Sequence, residues 1–114
     1  LCAQPLDAAG ATLGAAVVDA TRRGRRDGHE VRSAGSVPRA DLWLTFTPQR
    51  ARLDVLAGAL RAALAAGLEP GDEMAALEHA GHRPRLVQGR RDNLKITYPA
   101  DLELAGTLLA ARGR

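Results

Sequence analysis

The chain of 114 residues reads as an α/β fold with an at least partly parallel sheet. Three observations predict it. Short apolar runs alternate with segments whose leucines and alanines recur at helical spacing. The clearest segments, Leu42-Trp43-Leu44-Thr45-Phe46 and Pro84 to Gln88 centred on Leu86-Val87, are strand-sized. Between the first strand candidate and the second, an Asp27-Gly28 pair separates two polar, extended segments, which is a hairpin signal.

Taken in order, residues 1–11 carry weak signals. Thr12 to Val18 reads as a strand. The Asp27-Gly28 hairpin returns along Glu30 to Val37, with Val31 as apolar anchor and Gly35 at a bulge. A hairpin polar on both faces cannot bury itself, so it is expected to project and to pack on another chain. After the Trp43 strand, Thr47-Pro48-Gln49 offers Thr at N-cap and Pro at the first helical position. The predicted helix runs to about Ala66 on a stripe of Leu53, Leu56, Leu60 and Leu64, and Gly67 ends it. Asp72 caps a short helix, Glu73 to Ala80, stopped by Gly81. Strands follow at Pro84–Gln88 and Leu94–Thr97. A last helix spans Pro99 to about Ala111, with Leu102, Ala105 and Leu109 on its buried face.

Composition narrows the function classes. The hydrophobic fraction of 46% suits a globular protein, but Trp43, Phe46 and Tyr98 are the only aromatics, so alanine, leucine and valine must fill the core. There is no apolar run of ~18 residues to span a membrane. Leu1-Cys2-Ala3-Gln4-Pro5 lacks the charged and apolar regions of a signal peptide, and an opening without methionine is expected of a fragment or a trimmed chain. Cys2 is the sole cysteine, which predicts no disulfide framework and a reducing, cytoplasmic setting. His29, His79 and His82 show no metal-like pairing and read as surface residues. The net charge of +3 comes from arginine. The cluster Arg22-Arg23-Gly24-Arg25-Arg26 suits a nucleic-acid patch, but no aromatics interleave it and Asp27 and Glu30 follow; a solvated hairpin edge, or a face for anionic small molecules, fits as well.

Fifteen of the sixteen basic residues are arginine; the exception is Lys95. Lysine supplies a compact, rotatable point charge where arginine supplies a planar fork, and a tight phosphate pocket can require the former. On a strand over 94–97, Asn93, Lys95 and Thr97 share a face, and such a polar face needs partners, a ligand among them. Thr47 and Thr97 are both expected at strand-to-helix junctions, where α/β sheets place their sites. Thr47-Pro48-Gln49 offers a hydroxyl and helix-start amides for an anion or a sugar, or is a plain cap. Arg39 is a second candidate cation, or one surface arginine among fifteen. Asp72-Glu73 reads chiefly as a helix cap and only secondarily as a catalytic carboxylate pair. There is no Ser-His-Asp set and no Gly-rich phosphate loop.

The stretches Leu42-Trp43 through Thr47-Pro48-Gln49, Asp72-Glu73, Arg85-Leu86-Val87-Gln88-Gly89-Arg90-Arg91-Asp92-Asn93-Leu94-Lys95-Ile96-Thr97 and Pro99-Ala100-Asp101-Leu102 together resemble the C-terminal half of the 2-C-methyl-D-erythritol 4-phosphate cytidylyltransferases, within the glycosyltransferase-A-like nucleotidyltransferases. The resemblance covers about residues 12–111. It implies the C-terminal part of a Rossmann-like nucleotidyltransferase sheet: 1–114 a single partial domain, 17–40 a β-arm hairpin that swaps across a homodimer and completes the neighbour's site, 42–111 the substrate-side α/β portion. The implied reaction moves CMP from CTP to methylerythritol phosphate, releasing pyrophosphate with the help of Mg²⁺. By resemblance, Lys95 and Arg39 position the acceptor for attack, and Thr47 contacts it.

Some positions depart from the family pattern. Asp-Thr of the arm stands as Asp19-Ala20, with Thr21 one place on; Thr-Asp-Asp/Glu-Ala stands as Gly71-Asp72-Glu73-Met74; the aromatic after Thr-Pro-Gln is absent, with Arg50-Ala51 near it. The half carrying the CTP loop and the metal-binding aspartate has no counterpart here. The expectation is a chain inactive alone: the acceptor-binding and dimerisation half of a cytidylyltransferase or, as the alternative, a catalytically inactive remnant serving as a dimerising interaction module.

Overall fold

The computed structural model describes residues 1–2 and 7–113. Residues 3–5 of the leader reading lie outside them. The elements are β1 (Ala11–Ala16), β2 (Thr21–Asp27), β3 (Glu30–Val37), β4 (Trp43–Arg50), α1 (Leu53–Ala65), α2 (Glu73–His79), β5 (Arg85–Gln88) and α3 (Pro99–Arg112). Strand β1 lies at the centre of a mixed sheet of order β4-β1-β5, antiparallel to β4 and parallel to β5. The parallel pair demands a crossover, which α1 and α2 supply. Strand β1 is made of small residues, and Gly14 is required there: a Cβ would stand 2.5 Å from the Leu44 carbonyl oxygen on β4.

The hairpin β2–β3 forms a separate two-stranded sheet, exposed on both faces along nearly its whole length. Its two-residue loop is Gly28-His29, one place later than the Asp27-Gly28 expectation; Gly28 has φ +61° and His29 a negative φ, the pattern of a type II′ turn with glycine first. The ladder slips between Arg22 and Gly24, so that Arg23 faces Ala34 and Gly35, the bulge expected at Gly35. Projection of the hairpin enlarges the molecule: the radius of gyration is 17.3 Å, against ~13 Å for a compact chain of about 100 residues.

The helix expected to start at Thr47 starts instead at Leu53, with Arg52 as N-cap. Strand β4 runs on through Thr47, a cis peptide joining Thr47 to Pro48, because Gln49 and Arg50 pair with Thr12 and Ala11. The pairing is uneven. Between Thr12↔Gln49 and Gly14↔Thr45, Leu13 alone faces Phe46, Thr47 and Pro48. Proline, lacking an N–H, sits where the ladder is interrupted. The Thr12 hydroxyl spans the gap, donating to the Phe46 carbonyl at 3.0 Å.

The core is built largely from alanine: Ala11, Ala15, Ala59, Ala63, Met74, Ala76 and Leu77 are buried, and Val55, Leu56 and Leu60 pack against the part formed by the helices. The leucine stripe expected of α1 is therefore rotated. Its buried face is Ala59 and Ala63 with Leu56 and Leu60 half-buried, and small alanines let α1 approach α2 closely, leaving Leu53 (83% exposed) and Leu64 (68%) outside. Both helices end in Schellman hydrogen bonds at the expected glycines: Leu68 N–H to Ala63 and Gly67 N–H to Leu64 in α1, His82 N–H to Leu77 and Gly81 N–H to Glu78 in α2.

Two further expectations fail near the C-terminus. Residues 93–97 form no strand, because no described strand lies alongside to accept the ladder, and Lys95, Ile96 and Thr97 are exposed. On α3 the half-buried positions are Asp101, Ala105 and Leu108, whereas Leu102 and Leu109 are 62% and 67% exposed. One polar anchor ties the helix to the rest of the chain at its C-terminal end, and a cap fixes its N-terminal turn. Asp101 accepts the Thr97 and Tyr98 amides at 3.0 and 2.9 Å, and Arg112 reaches Asp92 at 2.7 Å. No described helix is long and apolar enough to cross a membrane.

Candidate functional site

A cleft of about 590 Å³ opens between β4, the turn at Gly71-Asp72 and the segment 91–95, a size that suits a small ligand. Thr47 and Lys95 both line it, with Gln49, Asp72, Arg91 and Asn93. Two of the three residues singled out from the sequence thus come together. The third, Arg39, is not part of the lining; it is exposed between the hairpin and β4, and its carbonyl accepts the Leu42 amide at 3.1 Å.

Local structure explains how each wall forms. Thr47 is carried outward in the irregular stretch of β4, and its carbonyl accepts the Asn93 amide at 2.6 Å. That bond ties the Lys95 segment to the strand. Arg91 binds it to the sheet a second time, donating to the Ala16 carbonyl at 2.8 Å at the end of β1. The Gly89 amide continues the line of β5, donating to Gly14 at 2.8 Å. Lys95 is therefore presented by a segment without ladder bonds of its own, held by side chains.

On the opposite wall, Asp72 caps α2 as expected: Oδ1 accepts the Ala75 amide at 2.8 Å. Its Oδ2 accepts Gln49 Nε2 at 3.1 Å. Both oxygens are so engaged, which argues against a catalytic role for Asp72. Gln49 Oε1 is buried and has no partner among the described residues. Gln49 and Arg91 are site residues that sequence reasoning passed over. For Gln49 the signal was present, a polar residue directly after Thr-Pro; for Arg91 it was hidden among fifteen arginines.

The cleft's charged lining is Arg91, Lys95 and the Asp72 carboxylate, a net of one positive charge, with both Asp72 oxygens already hydrogen-bonded to neutral donors. Behind the segment, Asp92 is held well below the usual carboxylate range by Arg90 first and Arg112 second, and Arg90 is raised in turn. Two cations and a threonine hydroxyl around a small-molecule volume can bind a small phosphorylated ligand. Among the described residues, no group of three His, Cys, Asp or Glu side chains could hold a metal ion. With Asp72 occupied, the donor set for Mg²⁺ is not found there.

Comparison with known proteins identifies the family. The family model for 2-C-methyl-D-erythritol 4-phosphate cytidylyltransferase matches residues 1–111. The enzyme of that name from Ectopseudomonas mendocina is 49% identical over 96 residues, covering 84% of this chain and 40% of the relative. That from Chromohalobacter salexigens is 50% identical over 101 residues, 89% of this chain and 39% of the relative. The crystal structure of the Thermus thermophilus enzyme superposes with a TM-score of 0.74 at 31% identity, over 89% of this chain and 48% of that one. A 4-diphosphocytidyl-2C-methyl-D-erythritol synthase structure gives 0.69 at 38% identity, over 90% and 43%. The chain spans about two fifths of the length of the curated relatives it matches. On the family match and these identities, this chain belongs to the 2-C-methyl-D-erythritol 4-phosphate cytidylyltransferase family.

Proposed function

We propose that the chain supplies the acceptor side of a cytidylyltransferase and corresponds to its C-terminal half. The reaction transfers CMP from CTP to 2-C-methyl-D-erythritol 4-phosphate. An acceptor phosphate oxygen attacks the α-phosphorus of CTP, a new P–O bond forms, the α–β phosphoanhydride bond breaks, and pyrophosphate leaves. Catalysis of such a step is mostly positioning and charge stabilisation. The observation that carries the reading is the meeting of Thr47 and Lys95 in one cleft of ligand size. Lys95 holds the acceptor phosphate as a point charge, and Thr47 contacts the polyol.

The absence of a Gly-rich phosphate loop from the sequence supports assigning CTP, and Mg²⁺ with it, to residues outside this chain. In that reading Mg²⁺ would offset charge on the CTP phosphates. Arg39 stands away from its own chain's cleft at the root of an exposed hairpin, and this favours a homodimer in which residues 17–40 carry Arg39 to the neighbour's acceptor.

The test is calorimetric binding of methylerythritol phosphate to this chain, together with CTP turnover by the chain and by a longer form that includes a nucleotide-binding half. Binding without turnover by the chain, and turnover by the longer form, are expected. Lys95→Ala should lower both binding and turnover severely while leaving the circular dichroism unchanged. Unaltered kinetics in that variant would sink the assignment.

A further inference from the structure

The segment 90–95 is a wall between two cavities. Arg91 and Lys95 face the cleft just described, while Arg90, Asp92 and Arg112 face a second cavity of about 420 Å³ beneath α3; Asn93 and Leu94 border both. The wall has no regular secondary structure from Asn93 to Thr97, so its position depends on side-chain bonds. Two of them lie on the cleft and sheet side and have been described. The third is on the far side. The Asp92 carboxylate accepts Arg90 Nε and Nη2 at 2.9 and 2.8 Å, and Arg112 Nη2 at 2.7 Å.

These two arginines differ in what they can do. Arg90 is two residues from Asp92 and its side chain is 79% exposed, so its bond is local and screened. Arg112 comes from the last turn of α3, twenty residues away. Among the described residues, it is the side chain of α3 that bonds beyond the helix and its N-terminal turn. The Asp92 side chain is only 25% exposed, which makes its charge-assisted bonds stronger than those of a fully solvated pair. Apolar packing does little of the same work: Leu102, Leu104 and Leu109 of α3 are exposed, and a cavity lies between the helix and Leu13 of the sheet.

We propose that the Asp92–Arg112 bridge is a latch that positions Lys95, so that α3 governs acceptor binding from the far side of the wall. Asp92 and Arg112 are positioning residues in this scheme and touch no substrate. The inference rests on the acceptor-site reading of Lys95 for its functional consequence, and on the geometry alone for the latch itself.

The experiment compares the chain with Arg112→Gln, Asp92→Asn and the exchanged pair Asp92→Arg/Arg112→Asp. Amide hydrogen exchange is followed at Asn93 and Thr97, whose amides donate to Arg90 and Asp101, and at Leu77 in the core, and methylerythritol phosphate is titrated by calorimetry. Each single variant is expected to speed exchange at Asn93 and Thr97 by about tenfold, leave Leu77 unchanged, and weaken acceptor affinity by about tenfold. The exchanged pair should recover most of both, a rescue that general destabilisation does not produce. Unchanged exchange at Asn93 and Thr97 in Arg112→Gln overturns the latch whatever the affinity does. Faster exchange with unaltered affinity overturns its link to the acceptor. Lys95→Ala in the same titration separates the two ideas: if it binds as the parent does, the acceptor-site reading fails and the latch stands or falls on exchange alone.

Discussion

Removing the Asp72 carboxylate tests fold and site at once, because one side chain caps a helix with one oxygen and holds a cleft residue with the other. In Asp72→Ala, the Ala75 amide loses its cap at 2.8 Å, a loss worth ~1 kcal/mol. Gln49 Nε2 loses a charged acceptor at 3.1 Å, and hydrogen bonds to charged groups contribute ~1.5–3 kcal/mol. Since Gln49 Oε1 is already buried without a described partner, truncation leaves the whole amide unsatisfied. The combined cost is about 2–4 kcal/mol, a large share of the ~5–15 kcal/mol that holds a domain together. Asp72→Asn should cost ~1 kcal/mol, since asparagine caps as well as aspartate and its amide can still meet a reoriented Gln49. The assay is urea unfolding of the parent, Asp72→Ala, Asp72→Asn, Gln49→Ala and the double variant, read as a double-mutant cycle. A coupling between Asp72 and Gln49 below ~0.3 kcal/mol, within the scatter of independent sites, would refute the reasoning.

Three other outcomes are expected. Among the described residues, Leu77 is the largest fully buried apolar side chain and sits over Gly10 at the entry to β1; Leu77→Ala should cost ~3–5 kcal/mol in urea unfolding, and a loss under ~1 kcal/mol would place the core elsewhere. The carboxyl of Asp101 lies below its ordinary value of 3.8 because it accepts the amides of Tyr98 and Thr97. A depressed folded-state value means this capping is intact above 3.8 and is lost as pH falls through the lower value, so the Tyr98 and Thr97 amide resonances should titrate with a midpoint below 3.8 in the parent and not at all in Asp101→Asn; a midpoint at or above the ordinary value contradicts the cap. Lys95→Arg should impair turnover by the longer form, because a planar fork does not replace a point charge, and full activity would show that the lone lysine has no special role.

What was legible in the sequence is what local chemistry decides. Asp72 as a cap, Gly67 and Gly81 as helix stops, and the hairpin with its Gly35 bulge need only a few neighbouring residues, and they form where the residues indicated, save that the hairpin turn falls one place later. The misread elements are those where a distant partner prevails or is missing. Thr47-Pro48 has the composition of a helix start, but β1 offers Gln49 and Arg50 a ladder, and two added residue pairs outweigh one cap. Residues 94–97 alternate like a strand, but periodicity supplies only half of a sheet and no described strand supplies the other half. On α1 and α3 the leucines drew attention to the wrong faces: alanines let α1 approach α2, and on α3 the bond from Arg112 to Asp92 ties the helix to the chain while Leu102 and Leu109 stay exposed.

Thr47 and Thr97 were each expected at a strand-to-helix junction, and neither stands at one: Thr47 lies inside β4, and no strand forms over 93–97. Thr47 and Lys95 nonetheless line one cleft. What joins them is the irregularity opposite Leu13, where Phe46, Thr47 and Pro48 swing β4 out of register. Bulges commonly re-aim a strand beside a functional site, and here the re-aimed residue turns its carbonyl to Asn93, two positions from Lys95, across 2.6 Å. A regular strand through Thr47 would direct that carbonyl into the ladder with β1 and leave the Lys95 segment without its tie to β4. The feature mistaken for a helix start is thus the one that builds the wall; of the polar face expected of the segment, Asn93, Lys95 and Thr97, the first two line the cleft and Thr97 does not.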